Sequence, residues 1–333
     1  MVYLNANVFK VSIIIPTYNV EAYITECLES VARQTYQGEM ECLVVDDCGT
    51  DESIRLAEKF IQSYHGNIVF KIIHHEHNQG LSAARNTGIE NAVGHYVYFL
   101  DSDDAIVPET IEAMAKIVRE HPLVEMVQGG IANMEGRKVE DFTTKELPAY
   151  TEDQTWITKN ILYYLPVSSW NRLLRKDFLM KNNISFHEGI IHEDVPYCFQ
   201  LALKCKHIGF IRKNTYLFRP QREGSITNTP QENRALQSRI IIMHDCIDAL
   251  RISHVPNRKM RNYFILFLWR KWLTYMVIHS YVVLRKNNDD VSNIISRLCS
   301  ITSWPMKLIA FIYSILPIRL RNNDVFLKFS KIC

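Results

Sequence analysis

Asp101-Ser102-Asp103-Asp104 places three carboxylates within four residues, directly after the apolar and aromatic run Tyr96-Val97-Tyr98-Phe99-Leu100. Such a run reads as a buried strand, so the acids leave a sheet at its carboxyl edge, where open α/β sheets bind ligands. Their mutual repulsion calls for a cation. Mg²⁺ or Mn²⁺ suits the site, because either ion accepts one or two carboxylates, here Asp103 and Asp101, and fills its other positions with water and substrate phosphates. The same turn could instead cap the helix that Pro108 begins. A second acidic pair stands in Ile191-His192-Glu193-Asp194-Val195, ahead of a helical pattern at 196–205. Taken alone, that pair complements a helix dipole.

The elements that must position these acids can be read outward from them. Val11–Ile15 is a β-branched run ended by Pro16, and Glu41–Val45 is a second strand ending in Asp46 and Asp47. Helical spacing across Val20–Gln34 joins the two into a βαβ unit. A further helix and a strand at Ile68–Ile73 follow, and Asn78–Asn86 leads a helix into the strand that carries the acid turn. The alternation predicts an α/β fold with a doubly wound, mostly parallel sheet flanked by helices. The turn after the first strand is Pro16-Thr17-Tyr18-Asn19, without the glycines of a dinucleotide-binding fold or a sugar-nucleotide pyrophosphorylase. His74-His75-Glu76-His77 resembles a metal motif, but neighbouring residues on a strand point to opposite faces, so at most two could share an ion. Arg85 and Asn86 fit either a packed helix face or a site. Trp170, in Ser168–Leu174, fits either a core or a ligand platform.

At 333 residues and 47% hydrophobic, the chain can bury a large core and has room for about two domains. Its net charge of +2 hides an asymmetry: residues 255–333 hold 13 Lys/Arg against 3 Asp/Glu, which leaves −8 for residues 1–254. Eight cysteines without C-x-x-C or zinc-ligand spacing read as reduced, buried thiols. With no leader-like apolar segment at the N-terminus, the expected place of the catalytic part is the cytoplasm. The apolar runs Tyr263–Trp269, Trp272–Leu284 and Leu308–Ile318 are too short to span a bilayer. Bordered by Lys and Arg, they suit helices lying on an anionic membrane surface, or else a basic helical lid.

In this order, Val11–Asn19, Glu41–Asp47, Asn78–Asn86 and the acid turn resemble the family 2 glycosyltransferases, inverting enzymes of the GT-A fold, of the type that builds bacterial surface polysaccharides. The likeness covers roughly residues 10–225. It implies a catalytic domain over 1–228, with a nucleotide-sugar half at 1–107 and an acceptor half at 108–228, before a membrane-associating helical region at 229–333. It also implies transfer of a sugar from a nucleotide-sugar donor, a UDP-sugar before a GDP- or dTDP-sugar, to a hydroxyl of a lipid-linked or surface glycan at the inner membrane face. Asp194 maps onto the general base and Glu193 onto its supporting neighbour. Pro16, Thr17, Tyr18, Asn19, Asp46, Asp47, Arg85, Asp101 and Ser102 map onto the nucleotide-sugar side, with Asp47 accepting from a uracil ring nitrogen. Asp101 could reach the ribose instead of the metal. Trp170 maps onto the acceptor side, and Arg222 onto a clamp in a loop that closes over the diphosphate. Gln231 and Arg234 match the processive synthases' Q-x-x-R-W motif, but Ala235 replaces its Trp, which points to single addition. Nucleic acid is not an expected partner. A catalytically silent nucleotide- or glycan-binding scaffold at the membrane is the alternative, and it would have no use for both a metal site and a base.

Overall fold

A computed structural model describes residues 9–134, 147–220, 232–278 and 287–302. Two compact units make up the chain: Met1–Ile157 with Ser168–Gly189 and Lys204–Thr229, and Thr158–Val167 with Ile190–Leu203 and Pro230–Cys333. The second unit therefore draws on two stretches inside residues 1–228 as well as on the C-terminal region.

In the first unit, β1 (Val11–Thr17), β2 (Met40–Asp46), β3 (Val69–His74) and β4 (Tyr96–Phe99) pair in the order β3-β2-β1-β4, all parallel. β1 is buried along its whole length, which explains its unbroken apolar run. Its two faces have different partners. Val11, Ile13 and Ile15 join Cys27, Leu28 and Val31 of α1 (Ile24–Ala32) in one core cluster. On the other face Ile14 meets α3 (Leu81–Asn91), where a Cβ added at Gly88 would lie 2.3 Å from the Ile14 side chain. Only a glycine lets α3 pack so close, and that packing brings Arg85 to the acid turn. α2 (Ser53–Ser63) completes this half.

Beyond β4 the sheet is mixed. β5 (Ala105–Ile106), β6 (Met126–Asn133), β7 (Tyr150–Thr151), β8 (Arg172–Arg175) and β9 (Ile208–Phe218) extend it as β4-β8-β6-β9-β5, with β7 on β9. β8 runs antiparallel to both β4 and β6. Among the described residues, nine strands form this one sheet. α4 (Thr110–Glu120) buries Ile111, Met114, Ala115 and Val118, and the short α6 (Lys176–Lys181) follows β8. α5 (Gln154–Tyr163) and α7 (Asp194–Lys204) connect these elements along the chain.

The C-terminal helices of the second unit are α8 (Glu232–Ile252), α9 (Arg258–Ile278) and α10 (Asn288–Ile301). Their apolar residues correct the expectation of a membrane-facing surface at 263–275. Phe264, Leu266, Leu268 and Trp272 are buried to within 2% of full enclosure, and Phe199 of α7 stacks edge-on to Phe264 at 5.0 Å. Trp269 donates to the Thr302 hydroxyl at 3.0 Å. Over 263–275 these apolar side chains form part of the unit's own core. Among the described residues no helix is long and apolar enough to cross a membrane. Trp304 and Leu308–Ile318 lie outside the described residues.

Candidate active site

The carboxyl ends of β1, β2 and β4 converge on one edge, and short polar links hold the loops there. Asp47 N–H donates to the Thr17 carbonyl at 3.0 Å, and Thr50 N–H to the Asn19 side-chain oxygen at 2.7 Å. Glu21 N–H donates to Asp51 at 2.8 Å, and Glu52 N–H returns a bond to Glu21 at 2.9 Å. Asn19 and Cys48 adopt φ of 50° and 56°, a left-handed backbone that asparagine tolerates better than most residues. Pro16 and Thr17 are buried at this edge, whereas Tyr18 and Asn19 are exposed.

Asp46 and Asp47 have separate tasks. The Asp46 carboxylate accepts from Cys48 N–H at 3.0 Å and lies 2.8 Å from His74 Nδ1. Asp47 is 3% exposed; it lies 2.8 Å from His75 Nδ1 and accepts from the N–H groups of Gln79 at 2.7 Å and Gly80 at 2.9 Å. The carboxylate expected to meet a uracil ring thus holds the loop that starts α3, where Gly80 supplies φ of +90°. His74 and His75 go to different acids, as alternation along a strand requires. Among the described residues, no three His, Cys, Asp or Glu gather as a metal cluster.

At the end of β4 the three turn acids differ sharply. The buried Arg85 guanidinium donates to Asp101 Oδ1 at 2.9 Å and lies 5.2 Å over the Phe186 ring. This partly buried ion pair holds Asp101, whose side chain remains 26% exposed. Ser102 is buried within the turn, and Asp103 is half-buried. Asp104 turns inward, where its carboxyl accepts from the Tyr216 hydroxyl and the Arg219 N–H, both at 2.7 Å. Burial, then the charges of Asp101 and Asp103, push its pKa up to about 8, against the pull of the two donated hydrogen bonds. Asp101 and Asp103 keep partly exposed side chains at the edge, a donor set of the size that Mg²⁺ or Mn²⁺ accepts.

Trp170 stacks on Tyr216 at 4.3 Å between ring centroids and on Phe218 at 6.0 Å. It is a partly buried packing residue whose partner Tyr216 touches the acid turn. Behind it Asn171, at φ of 59°, accepts from Tyr98 and Thr215 hydroxyls and donates to the Gly129 and Gly130 carbonyls. Sequence reasoning missed Tyr216 and Arg219. The available signal was the spacing of two between Tyr216 and Phe218, which puts both rings on one face of β9.

In the second unit, Glu193 is buried and Asp194 half-buried at the start of α7. His192 precedes them at φ of 66°, with its Nε2 3.5 Å from the Arg239 guanidinium of α8. Ile191 N–H donates to the Ser238 hydroxyl at 3.1 Å, so α8 fixes the turn that presents the pair. Arg222 and Gln231 lie outside the described residues.

The family profile described as Glycosyl transferase family 2 matches residues 12–179. The poly(ribitol-phosphate) beta-N-acetylglucosaminyltransferase TarS of Staphylococcus aureus is 33% identical over 218 residues, 65% of this chain and 36% of TarS. The chain therefore spans about a third of the length of that relative. The glycosyltransferase GlyG of Streptococcus pneumoniae is 30% identical over 231 residues, 66% of this chain and 73% of GlyG. The crystal structure of S. aureus TarS 1-349 in complex with UDP-GlcNAc superposes with a TM-score of 0.73 at 21% identity, covering 97% of this chain and 90% of that one, and so shares its GT-A fold. From the ordered motifs, the sheet and these matches, the chain belongs to glycosyl transferase family 2.

Proposed function

We propose that the chain transfers one sugar from a UDP-sugar to a hydroxyl of a glycan acceptor, inverting the anomeric carbon, with Mg²⁺ or Mn²⁺ at Asp101 and Asp103. The observation that carries this reading is the division of labour in the acid turn: Asp104 is drawn into the fold, while Asp101 and Asp103 stay at the carboxyl edge, with Asp101 aimed by Arg85. When bound there, the cation would offset the charge that grows on the departing diphosphate.

The remaining work falls to the chain itself. Tyr18 offers an exposed ring at the floor of the edge, and Asn19 and Asp46 border it, which suits a nucleoside. Asp47 acts one step back by holding the 78–80 loop, and Ser102 by filling the turn. Asp194 takes the proton of the attacking hydroxyl, and the buried Glu193 beside it supports its basicity through like charge. Trp170 borders the acceptor side, backed by the rings it stacks on. Arg222 clamps the diphosphate.

The family match supports the reaction class. The likeness to the poly(ribitol-phosphate) beta-N-acetylglucosaminyltransferase TarS and that protein's complex with UDP-GlcNAc make UDP-N-acetylhexosamines and UDP-hexoses the first donors to try. A lipid-linked or surface glycan is the acceptor class, and we place the enzyme on the cytoplasmic face of an anionic membrane. With 263–275 packed inside, that attachment rests on residues 303–333, which hold five Lys/Arg against one Asp. Screening purified chain against a panel of nucleotide sugars tests the proposal: selective release of UDP with Mn²⁺ present supports it, and no turnover of any UDP-sugar with any glycan acceptor counts against it.

A further inference from the structure

We propose that Tyr216, Asp104 and Arg219 are positioning residues that clasp the 101–104 turn to the end of β9 and thereby set Asp101 and Asp103 for their cation. The proposal rests on the metal reading above, adds Tyr216 and Arg219, which the motifs did not single out, and gives the inward Asp104 of the acid motif a task.

The clasp is built from hydrogen bonds at both ends of the turn. Asp104 N–H closes the turn on the Asp101 carbonyl at 3.0 Å. The Tyr216 hydroxyl bridges the same two residues, accepting from Asp101 N–H at 3.2 Å and donating to Asp104 Oδ2 at 2.7 Å. Three residues further along, Arg219 N–H donates to Asp104 Oδ1 at 2.7 Å, and Arg219 Nε donates to the Asp103 carbonyl at 3.0 Å. Its other arm reaches Glu26 of α1 at 2.5 Å, and its guanidinium lies 4.8 Å over the Tyr23 ring. β5 then pairs with β9, Ala105 opposite Leu217 and Ile106 opposite Tyr216, so a strand ladder continues where the side-chain bonds stop.

Each of the three acids is thus held from one strand end. Tyr216 cannot drift, because it is fully buried and stacked on Trp170. Mg²⁺ tolerates little deviation from octahedral geometry, so two carboxylates on a loose turn would bind it poorly. Partners that orient ligating carboxylates matter for that reason, and losing one typically weakens metal affinity by roughly 10–100-fold.

The test compares the full chain with Tyr216→Phe and Arg219→Gln, measuring Mn²⁺ uptake in the presence of UDP from the free-ion paramagnetic resonance signal. UDP binding in EDTA and the thermal midpoint are recorded alongside. Tyr216→Phe keeps the ring and its stacking and removes only the bridge; its Mn²⁺ affinity should fall by about 10–100-fold while UDP binding in EDTA holds. Arg219→Gln, at a partly exposed position, should lose affinity in the same direction and by less, with a thermal midpoint near that of wild type. Equal Mn²⁺ affinity in wild type and both variants overturns the clasp alone. Equal losses with and without metal also overturn it, since they would mark general damage to the fold. If wild type itself takes up no Mn²⁺ with UDP, the metal reading falls and the clasp falls with it.

Discussion

Glu41 at the amino end of β2 and the acids at the carboxyl end of β4 belong to the same parallel half-sheet, yet their surroundings are opposite. Glu41 is buried and accepts from the Ser12 hydroxyl at 2.6 Å, Val93 N–H at 2.7 Å and the Lys71 ammonium at 3.0 Å. Ser12 also accepts from Gly94 N–H at 2.9 Å, which ties the start of β4 to that of β1. At the other end Asp101 carries one guanidinium and keeps 26% of its side chain exposed, and Asp103 stands half-buried beside it. A carboxylate satisfied on every side stabilises a fold. One left partly open at the edge where parallel strands end can act on a ligand. The contrast separates residues of one chemical type by what surrounds them.

The largest effect should come from the proposed base in the second unit. Asp194→Asn keeps the shape of the side chain but accepts no proton, and the rate should fall on the order of 10²–10⁴-fold with UDP affinity unchanged, as steady-state kinetics and calorimetry would read. Turnover near wild type would move the base elsewhere. At the amino end the outcome should invert. Glu41→Gln should lower stability to denaturant by about 1–3 kcal/mol, the usual effect of disturbing a buried charged hydrogen-bond set, and leave the turnover of folded enzyme intact.

The pH dependence sharpens the same contrast. Burial alone would raise the Glu41 carboxyl, but the Ser12 hydroxyl, Val93 N–H and Lys71 together hold it below its ordinary value of 4.5. A depressed folded pKa gives stability that is present above 4.5 and lost as pH falls through the lower folded value. Acid denaturation of wild type should therefore steepen below that pH, and Glu41→Gln should flatten that limb. Equal acid slopes would remove Glu41 from the account. Residue by residue, the smallest effect concerns the tail. Replacing Lys307, Arg319, Arg321, Lys328 and Lys331 by Gln should weaken sedimentation with anionic vesicles by about 1 kcal/mol for each residue that reaches the surface. Unchanged sedimentation would remove the membrane from the proposal.

Much of the nucleotide half was legible because its signals are local. β1 and β2 announce themselves as β-branched runs, and each ends at the residues that border the site. β8 was less visible: only Leu173 and Leu174 are apolar between Arg172 and Arg175, and Arg172 is buried by a 2.7 Å bond to Gln128, a residue 44 positions away. The clasp was hidden for the same reason, since Tyr216 and Asp101 are separated by 115 positions. Spacing within a motif cannot report a hydroxyl that arrives from another strand. It also could not tell which acid of the turn faces inward, because that depends on Tyr216 and Arg219. At 263–275 the apolar pattern was readable as a helix, but the direction it faces follows from packing that the run alone does not encode.

The central claim is that Asp101 and Asp103 act through a divalent cation while Asp104 and Glu41 serve the fold. Its most direct test is UDP release from a UDP-sugar substrate in excess EDTA, followed by titration with Mn²⁺, for wild type and Asp103→Asn. Wild type should be silent in EDTA and recover as Mn²⁺ is added, and Asp103→Asn should stay low at every concentration although its thermal midpoint matches wild type. Full activity in EDTA, or normal recovery by Asp103→Asn, would contradict the account and return the acid turn to a capping role.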